Sequence, residues 1–131
     1  MRIIIFEDDQ SLATLIKNLL FIKGHDVQIF SDPTVWPIYK NHEQQCPQNS
    51  SCADVIISDH IMPNMTGIDF FKLQRSRGCK VLDANKALVT GSDIDDGLKH
   101  DIEELGCHYI CKPFRVAEII KWIDECAERL Q

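Results

Sequence analysis

No apolar run in this 131-residue chain is long enough to span a bilayer. The opening Ile3-Ile4-Ile5-Phe6 is interrupted at once by acids, so it reads neither as a signal peptide nor as a membrane anchor, and a cytoplasmic location without membrane contact is expected. No Lys/Arg cluster with interleaved aromatics occurs, and the net charge is −6, which argues against direct contact with nucleic acid. There is no C-x-x-C pair among the six cysteines, Cys46, Cys52, Cys79, Cys107, Cys111 and Cys126, so free thiols are the favoured reading. Cys46 and Cys52 differ from the rest because they lie in a polar stretch near His42, where a disulfide or a metal site stays open although the spacing fits no zinc pattern. Internal repeats, low-complexity tracts and an interdomain linker are also missing, so one domain over residues 1–131, with no output domain, is expected.

What is present is a set of short apolar runs that end in chemistry. Val55-Ile56-Ile57 leads through Ser58 to Asp59, followed by His60-Ile61-Met62-Pro63-Asn64-Met65-Thr66-Gly67. A buried strand that closes on a carboxylate, then a proline turn and a glycine where a helix can begin, exposes a reactive side chain in an α/β fold. Ile3 to Phe6 ends in Glu7-Asp8-Asp9, three acids that repel one another unless solvent or a cation compensates them. Ala87-Leu88-Val89 ends in Thr90, and Tyr109-Ile110-Cys111 ends in Lys112-Pro113-Phe114. In an open parallel sheet the carboxyl ends of the strands share one edge, so Asp8, Asp59, Thr90 and Lys112 are expected to converge there.

Between the runs lie amphipathic segments, the pattern of a parallel sheet with helices on both faces. The first expected helix covers Gln10 to Lys23, with Leu12, Leu15, Ile16, Leu19 and Leu20 at helical spacing before Gly24. Val27 to Phe30 reads as the second strand. A second helix is expected from Asp32-Pro33 to about Lys40, Asp32 as N-cap, and the polar stretch Lys40 to Ala53 reads as a mobile loop insertion. The third helix runs from Thr66-Gly67 to around Gly78, the fourth from Asp95 to Leu105 before Gly106, and the fifth from Val116 with Ile119, Ile120, Ile123, Cys126, Ala127 and Leu130 inward. His25 reads as a turn residue, Trp36 and Trp122 as packing or partner-surface residues on helices.

From Arg2 to about Leu130 this sequence resembles the response-regulator receiver domain, the phospho-acceptor half of two-component signalling. The marks are an acidic pair after the first strand, D-x-x-M-P-x-x-x-G after the third, Thr after the fourth and K-P-F after the fifth. The resemblance implies a flavodoxin-like five-stranded parallel sheet in the order 2-1-3-4-5. It implies Asp59 as phospho-acceptor and Mg²⁺ or Mn²⁺ held by Asp8 directly, Glu7 through water, an Asp59 oxygen and the backbone carbonyl of Ile61. Asp9 is then an exposed first-turn helix residue, unless the acidic pair is registered one residue later. Lys112 supplies a charge to the phosphoryl oxygens, Pro113 after it is expected to be cis, Thr90 offers a hydroxyl, and Tyr109 takes the switch-aromatic position. Phosphate lifetime in the family depends on the positions held here by Ile61 and Ser92. The implied partners are a histidine kinase or histidine phosphotransfer protein upstream. Downstream, a protein target or a second copy is expected on the face of the fourth helix, fifth strand and fifth helix.

The implied role is a signalling phospho-acceptor that catalyses its own phosphorylation and slow dephosphorylation, rather than a metabolic enzyme. A haloacid-dehalogenase-type phosphohydrolase needs a second Asp two residues after the nucleophile, where this chain has Ile61. A flavodoxin-like cofactor binder needs a phosphate-cradling loop after the first strand, where Glu7-Asp8-Asp9 would repel the ligand. His60 is set aside as a base, because neighbouring residues on a strand or loop point in different directions.

Overall fold

The computed structural model describes residues 1–36, 51–91 and 94–131. Its strands are β1 (Arg2–Phe6), β2 (Asp26–Phe30), β3 (Val55–Asp59), β4 (Lys86–Thr90) and β5 (His108–Cys111), all parallel and ordered β2-β1-β3-β4-β5. Four α-helices are described: α1 (Gln10–Ile22), α2 (Gly67–Ser76), α3 (Asp96–Leu105) and α4 (Val116–Arg129).

Both faces of the sheet are covered, which is why the central strands β1, β3 and β4 carry unbroken apolar runs, whereas the edge strand β2 alternates, with Asp26 and Gln28 exposed. Ile3 and Ile5 point into one core with Ile16 and Leu20 of α1 and Ile119, Trp122, Ile123 and Cys126 of α4. Ile4 and Phe6 point into the other with Ile68, Phe70 and Phe71 of α2 and Ile102 and Leu105 of α3.

The helix boundaries follow from capping chemistry. Asp9, Thr66 and Asp95 each accept a hydrogen bond from a backbone N–H three residues on, satisfying a donor that the first turn leaves free. Asp9 is therefore the N-cap of α1 rather than a residue of its first turn. At the other end of α3, Gly106 takes the left-handed conformation (φ 73°), and its N–H closes on the carbonyls of Glu103 and Ile102.

Several expectations need correction. The helix expected from Asp32 is a single 3-10 turn, Pro33–Val35, among the described residues. Trp36 is extended (ψ 122°) because Pro37 follows it, and a residue before proline is pushed out of the helical region. Numbered among the described α-helices, the expected third, fourth and fifth helices are α2, α3 and α4. Leu130, expected inward, is 44% exposed because α4 ends at Arg129 and Leu130 is its C-cap, while the inward stripe includes Trp122. β4 begins one residue earlier than its apolar run, at Lys86, whose side chain is buried with its ammonium 3.6 Å from Asp83. Cys126 is core as expected, whereas Cys107 and Cys111 are only partly buried. Cys46, His42 and most of the Lys40 to Ala53 stretch lie outside the described residues, as does Ser92.

Candidate functional site

Parallel pairing brings the strand ends to one edge. Asp59 closes β3 beside Val89 of β4, Thr90 pairs with Cys111, and Glu7 follows β1 with its N–H donating to the carbonyl of Phe30 at 3.0 Å. Lys112 continues from β5, its N–H donating to the Thr90 carbonyl at 2.7 Å. Its peptide bond to Pro113 is cis, as the resemblance implied.

The side chains meet. Lys112 Nζ lies 3.1 Å from Asp59 Oδ1 and 3.8 Å from Glu7 Oε2. Glu7, Asp8 and Asp59 each offer a carboxylate oxygen within 4.8 Å of the others. Asp9 is outside this cluster, which favours the earlier of the two registers for the acidic pair. Glu7 and Asp59 are buried and Asp8 is exposed, so the cluster has a deep wall and an open mouth.

Burial, its hydrogen bond to Asp59 and repulsion from that carboxylate raise the Glu7 carboxyl to about 8, against the opposing pull of the Asp9 N–H and Lys112. Partial burial disfavours the Lys112 charge, but Asp59, Glu7 and Asp8 outweigh it, and the ammonium is held above its ordinary range. Asp59 Oδ1 is buried without an aligned hydrogen bond among the described residues, although the Lys112 ammonium is at ion-pair distance. One cation thus faces three acids. A site of hard oxygens, under-neutralised and open on one side, fits a hard divalent cation such as Mg²⁺ that keeps several waters.

Their own contacts place the other named residues. Thr90 is partly buried at the end of β4. The Tyr109 ring packs against the core on the α2–α3 side, and its hydroxyl donates to the Gly91 carbonyl at 2.9 Å. The Cys111 thiol beside it, with burial, raises the phenol to about 12. Ile61 leaves its side chain 73% exposed at the rim. His60 bonds Val89 and Gly67 through its backbone, while its buried Nδ1 meets no partner among the described residues. Burial pushes that imidazole below its ordinary range, against the pull of Asp69 and Asp95. His25 accepts from the Met1 amine at Nδ1, a turn contact away from the site.

Two features went unread in the sequence. A Cβ at Gly67 would lie 2.3 Å from the Asp59 carbonyl oxygen, so only glycine lets α2 start this close to the acceptor. Asn64, with φ 69°, donates to the buried Asp32 carboxylate at 3.2 Å, tying the loop after Asp59 to the turn after β2. Asn next to a proline turn was a usable signal for the first half of that finding.

A family model described as the response regulator receiver domain matches residues 3–124. The transcriptional regulatory protein CpxR of Klebsiella pneumoniae is 29% identical over 121 residues, covering 91% of this chain and 46% of CpxR. The DNA-binding response regulator MtrA of Mycolicibacterium paratuberculosis is 25% identical over 119 residues, covering 91% of this chain and 48% of MtrA. This chain thus spans about half the length of the curated relatives it matches. Among solved structures, a Francisella response regulator 1452 receiver domain superposes with a TM-score of 0.78 at 22% identity, covering 99% of this chain and 98% of that one. The receiver domain of the response regulator TorR gives 0.76 at 21% identity, again covering 99% and 98%. These structures share the fold. No helix among the described residues is long and apolar enough to cross a membrane.

Proposed function

Because the chain belongs to the response-regulator receiver family, a family of signalling phospho-acceptors, we propose that Asp59 takes a phosphoryl group from a histidine kinase or a histidine phosphotransfer protein. An Asp59 oxygen attacks phosphorus, the bond from phosphorus to the donor imidazole nitrogen breaks, and that nitrogen leaves with the electron pair and is protonated by water. The approach is of negative charge on negative charge, so the chain's task is neutralisation and alignment. Lys112 supplies a point charge beside the attacking oxygen, and Asp8, Glu7, Asp59 and the Ile61 carbonyl are the donors that would hold Mg²⁺ or Mn²⁺. When bound, that cation neutralises the phosphoryl oxygens and the carboxylates together.

The observation that carries this reading is the 3.1 Å approach of the Lys112 ammonium to Asp59 Oδ1 inside the cluster with Glu7 and Asp8. After transfer, Thr90 offers its hydroxyl to the new oxygens and Tyr109 responds through its contact with the Gly91 carbonyl, altering the face of α3, β5 and α4. A downstream protein or a second copy binds there. The chain's net charge of −6 disfavours nucleic acid as the direct partner, and the expected setting is the cytoplasm.

Intact-mass or Phos-tag analysis with acetyl phosphate or a phosphorylated kinase tests the acceptor. The parent gains one phosphoryl group only when Mg²⁺ is present, and Asp59→Asn gains none. Equal labelling of the two proteins would remove Asp59 from the role.

A further inference from the structure

Ile61 is the residue whose backbone carbonyl the proposed cation site needs, yet its own side chain anchors nothing, being 73% exposed. Its carbonyl can be aimed only by what holds the loop between Asp59 and Gly67. The ends of that loop are fixed by β3 and by Gly67, whose N–H donates to the His60 carbonyl at 2.8 Å. Near its apex the chain turns at Pro63-Asn64, where Met65 N–H donates to the Pro63 carbonyl at 2.8 Å and Asn64 is left-handed at φ 69°. Asn tolerates that conformation better than other non-glycine residues, and a hydrogen bond from its amide is the compensation that holds it there.

The compensation is Asp32. This carboxylate is 3% exposed, and its Oδ1 accepts from the Thr34 N–H at 2.8 Å and from the Thr34 hydroxyl. Oδ2 accepts from Asn64 Nδ2 at 3.2 Å. A buried carboxylate oxygen left without a donor is costly, so this contact is strongly favoured. Asp32 follows β2 and Asn64 follows β3, with β1 between them in the sheet, so the bond reaches across the end of the strand that delivers Glu7 and Asp8.

We infer that Asp32 and Asn64 are a positioning pair for the phosphoryl site: their hydrogen bond pins the acceptor loop over the end of β1 and so sets where the Ile61 carbonyl stands relative to the acidic cluster. This rests on the proposed phospho-acceptor reading. The pair touches no reacting atom. It acts on the cation through one backbone carbonyl, as outer groups orient the donors of metal sites.

Two variants remove the bond while sparing what surrounds it. Asn64→Gly keeps the left-handed backbone comfortable, and Asp32→Ser keeps an oxygen for the Thr34 N–H while falling short of Asn64. Titration calorimetry with Mg²⁺ alone should show each weakening binding by about tenfold, with the double variant no weaker than either single one. Asp32→Asn should restore binding, since the Asn64 amide can flip to accept. Urea midpoints of the same proteins provide the control, because a merely structural bond shifts those midpoints and leaves the Mg²⁺ affinity alone. If the parent binds Mg²⁺ and is labelled at Asp59 while both variants bind as it does, the pair is structural only and the inference fails by itself. A parent that neither binds Mg²⁺ nor is labelled overturns the phospho-acceptor reading, and the inference with it.

Discussion

Glu7 shows how much of the site's chemistry lies in a single side chain. Its carboxyl sits at about 8 against an ordinary 4.5, driven first by burial and then by Asp59. Between those two values the folded chain keeps a proton that the unfolded chain has lost, so stability falls as pH rises. The contribution is fully present below about 4.5 and gone above about 8. In the absence of divalent cation, the urea midpoint should decline across that window, and Glu7→Gln, which stays neutral throughout, should flatten the decline. His25, His60 and His108 are pushed down by burial and slope the other way, so the difference between parent and variant is the quantity to read. Parallel profiles for the two proteins would mean that Glu7 ionises normally. Ile61 poses a second question at this scale, because hydrolysis of an aspartyl phosphate needs a water in line with the breaking bond. An apolar side chain at position 61 holds no such water, and the sequence offers only a short hydroxyl at position 92. Ile61→Asn with Ser92→Glu should shorten the phosphoform's lifetime about tenfold, roughly 1.4 kcal/mol in barrier, as read by phosphate release. An unchanged lifetime would mean that water access is set elsewhere.

Elements place these side chains, and their legibility in the sequence varied with the cause of each. Strand ends were readable because a doubly covered central strand is apolar along most of its length, so the polar residues that follow the run mark the edge: Glu7, Thr90 and Lys112 come directly after their runs, and Asp59 one residue later, beyond Ser58. The helix expected after Asp32 was less legible: its start signals open only a 3-10 turn among the described residues, Trp36 before Pro37 is extended, and positions 37–40 lie outside the described residues. Lys86 was invisible because a lysine at a strand start reads as exposed, whereas here Asp83 and the Phe71 ring, 5.9 Å from the ammonium, receive it. The Asp32–Asn64 contact depends on 32 residues of separation and on no local pattern, so sequence reading could reach only its parts. Gly67 was seen as a helix start, while its deeper reason is a close approach. Adding a methyl there brings Cβ to 2.3 Å from the Asp59 carbonyl oxygen and 2.6 Å from Leu88 Cδ1. Gly67→Ala should therefore cost about 2 kcal/mol by overpacking and displace the acceptor strand end. Urea unfolding measures the first and the rate of acetyl-phosphate labelling the second. A fully stable, normally labelled variant would show that α2 can back away freely.

At the scale of the molecule, the four described α-helices are not held equally, and on the proposed function that inequality sets where a phosphoryl group at Asp59 would be felt. α4 buries Ile119, Trp122, Ile123 and Cys126, and Arg129 staples its end to the 3-10 turn before β4 through Asn85 Oδ1 at 2.7 Å and the Ala84 carbonyl at 3.0 Å. α3 buries only Ile102 and Leu105. Leu98 adds a partly buried contact, and the helix's side-chain ties to α2 are Lys72 to Asp101 at 2.8 Å and Arg75 to the Glu104 carbonyl at 2.9 Å. Both are exposed and worth little each. Few buried contacts and solvent-facing bonds mark the segments that open first, so on the proposed function α3 is the element whose equilibrium Thr90 and Tyr109 are expected to bias. Amide exchange should find α3 less protected than α4 in the unphosphorylated chain. Beryllofluoride, standing in for the phosphoryl group, should change exchange at Thr90 to Leu98 and along β5, and leave α4 beyond Trp122 as it was. Tyr109→Phe, which loses the bond to the Gly91 carbonyl, should uncouple the β5 response from that of α3 while still allowing Asp59 to be labelled. Changes confined to the Lys40 to Ala53 stretch, or a response in α4 equal to that in α3, would count against a switch at this face.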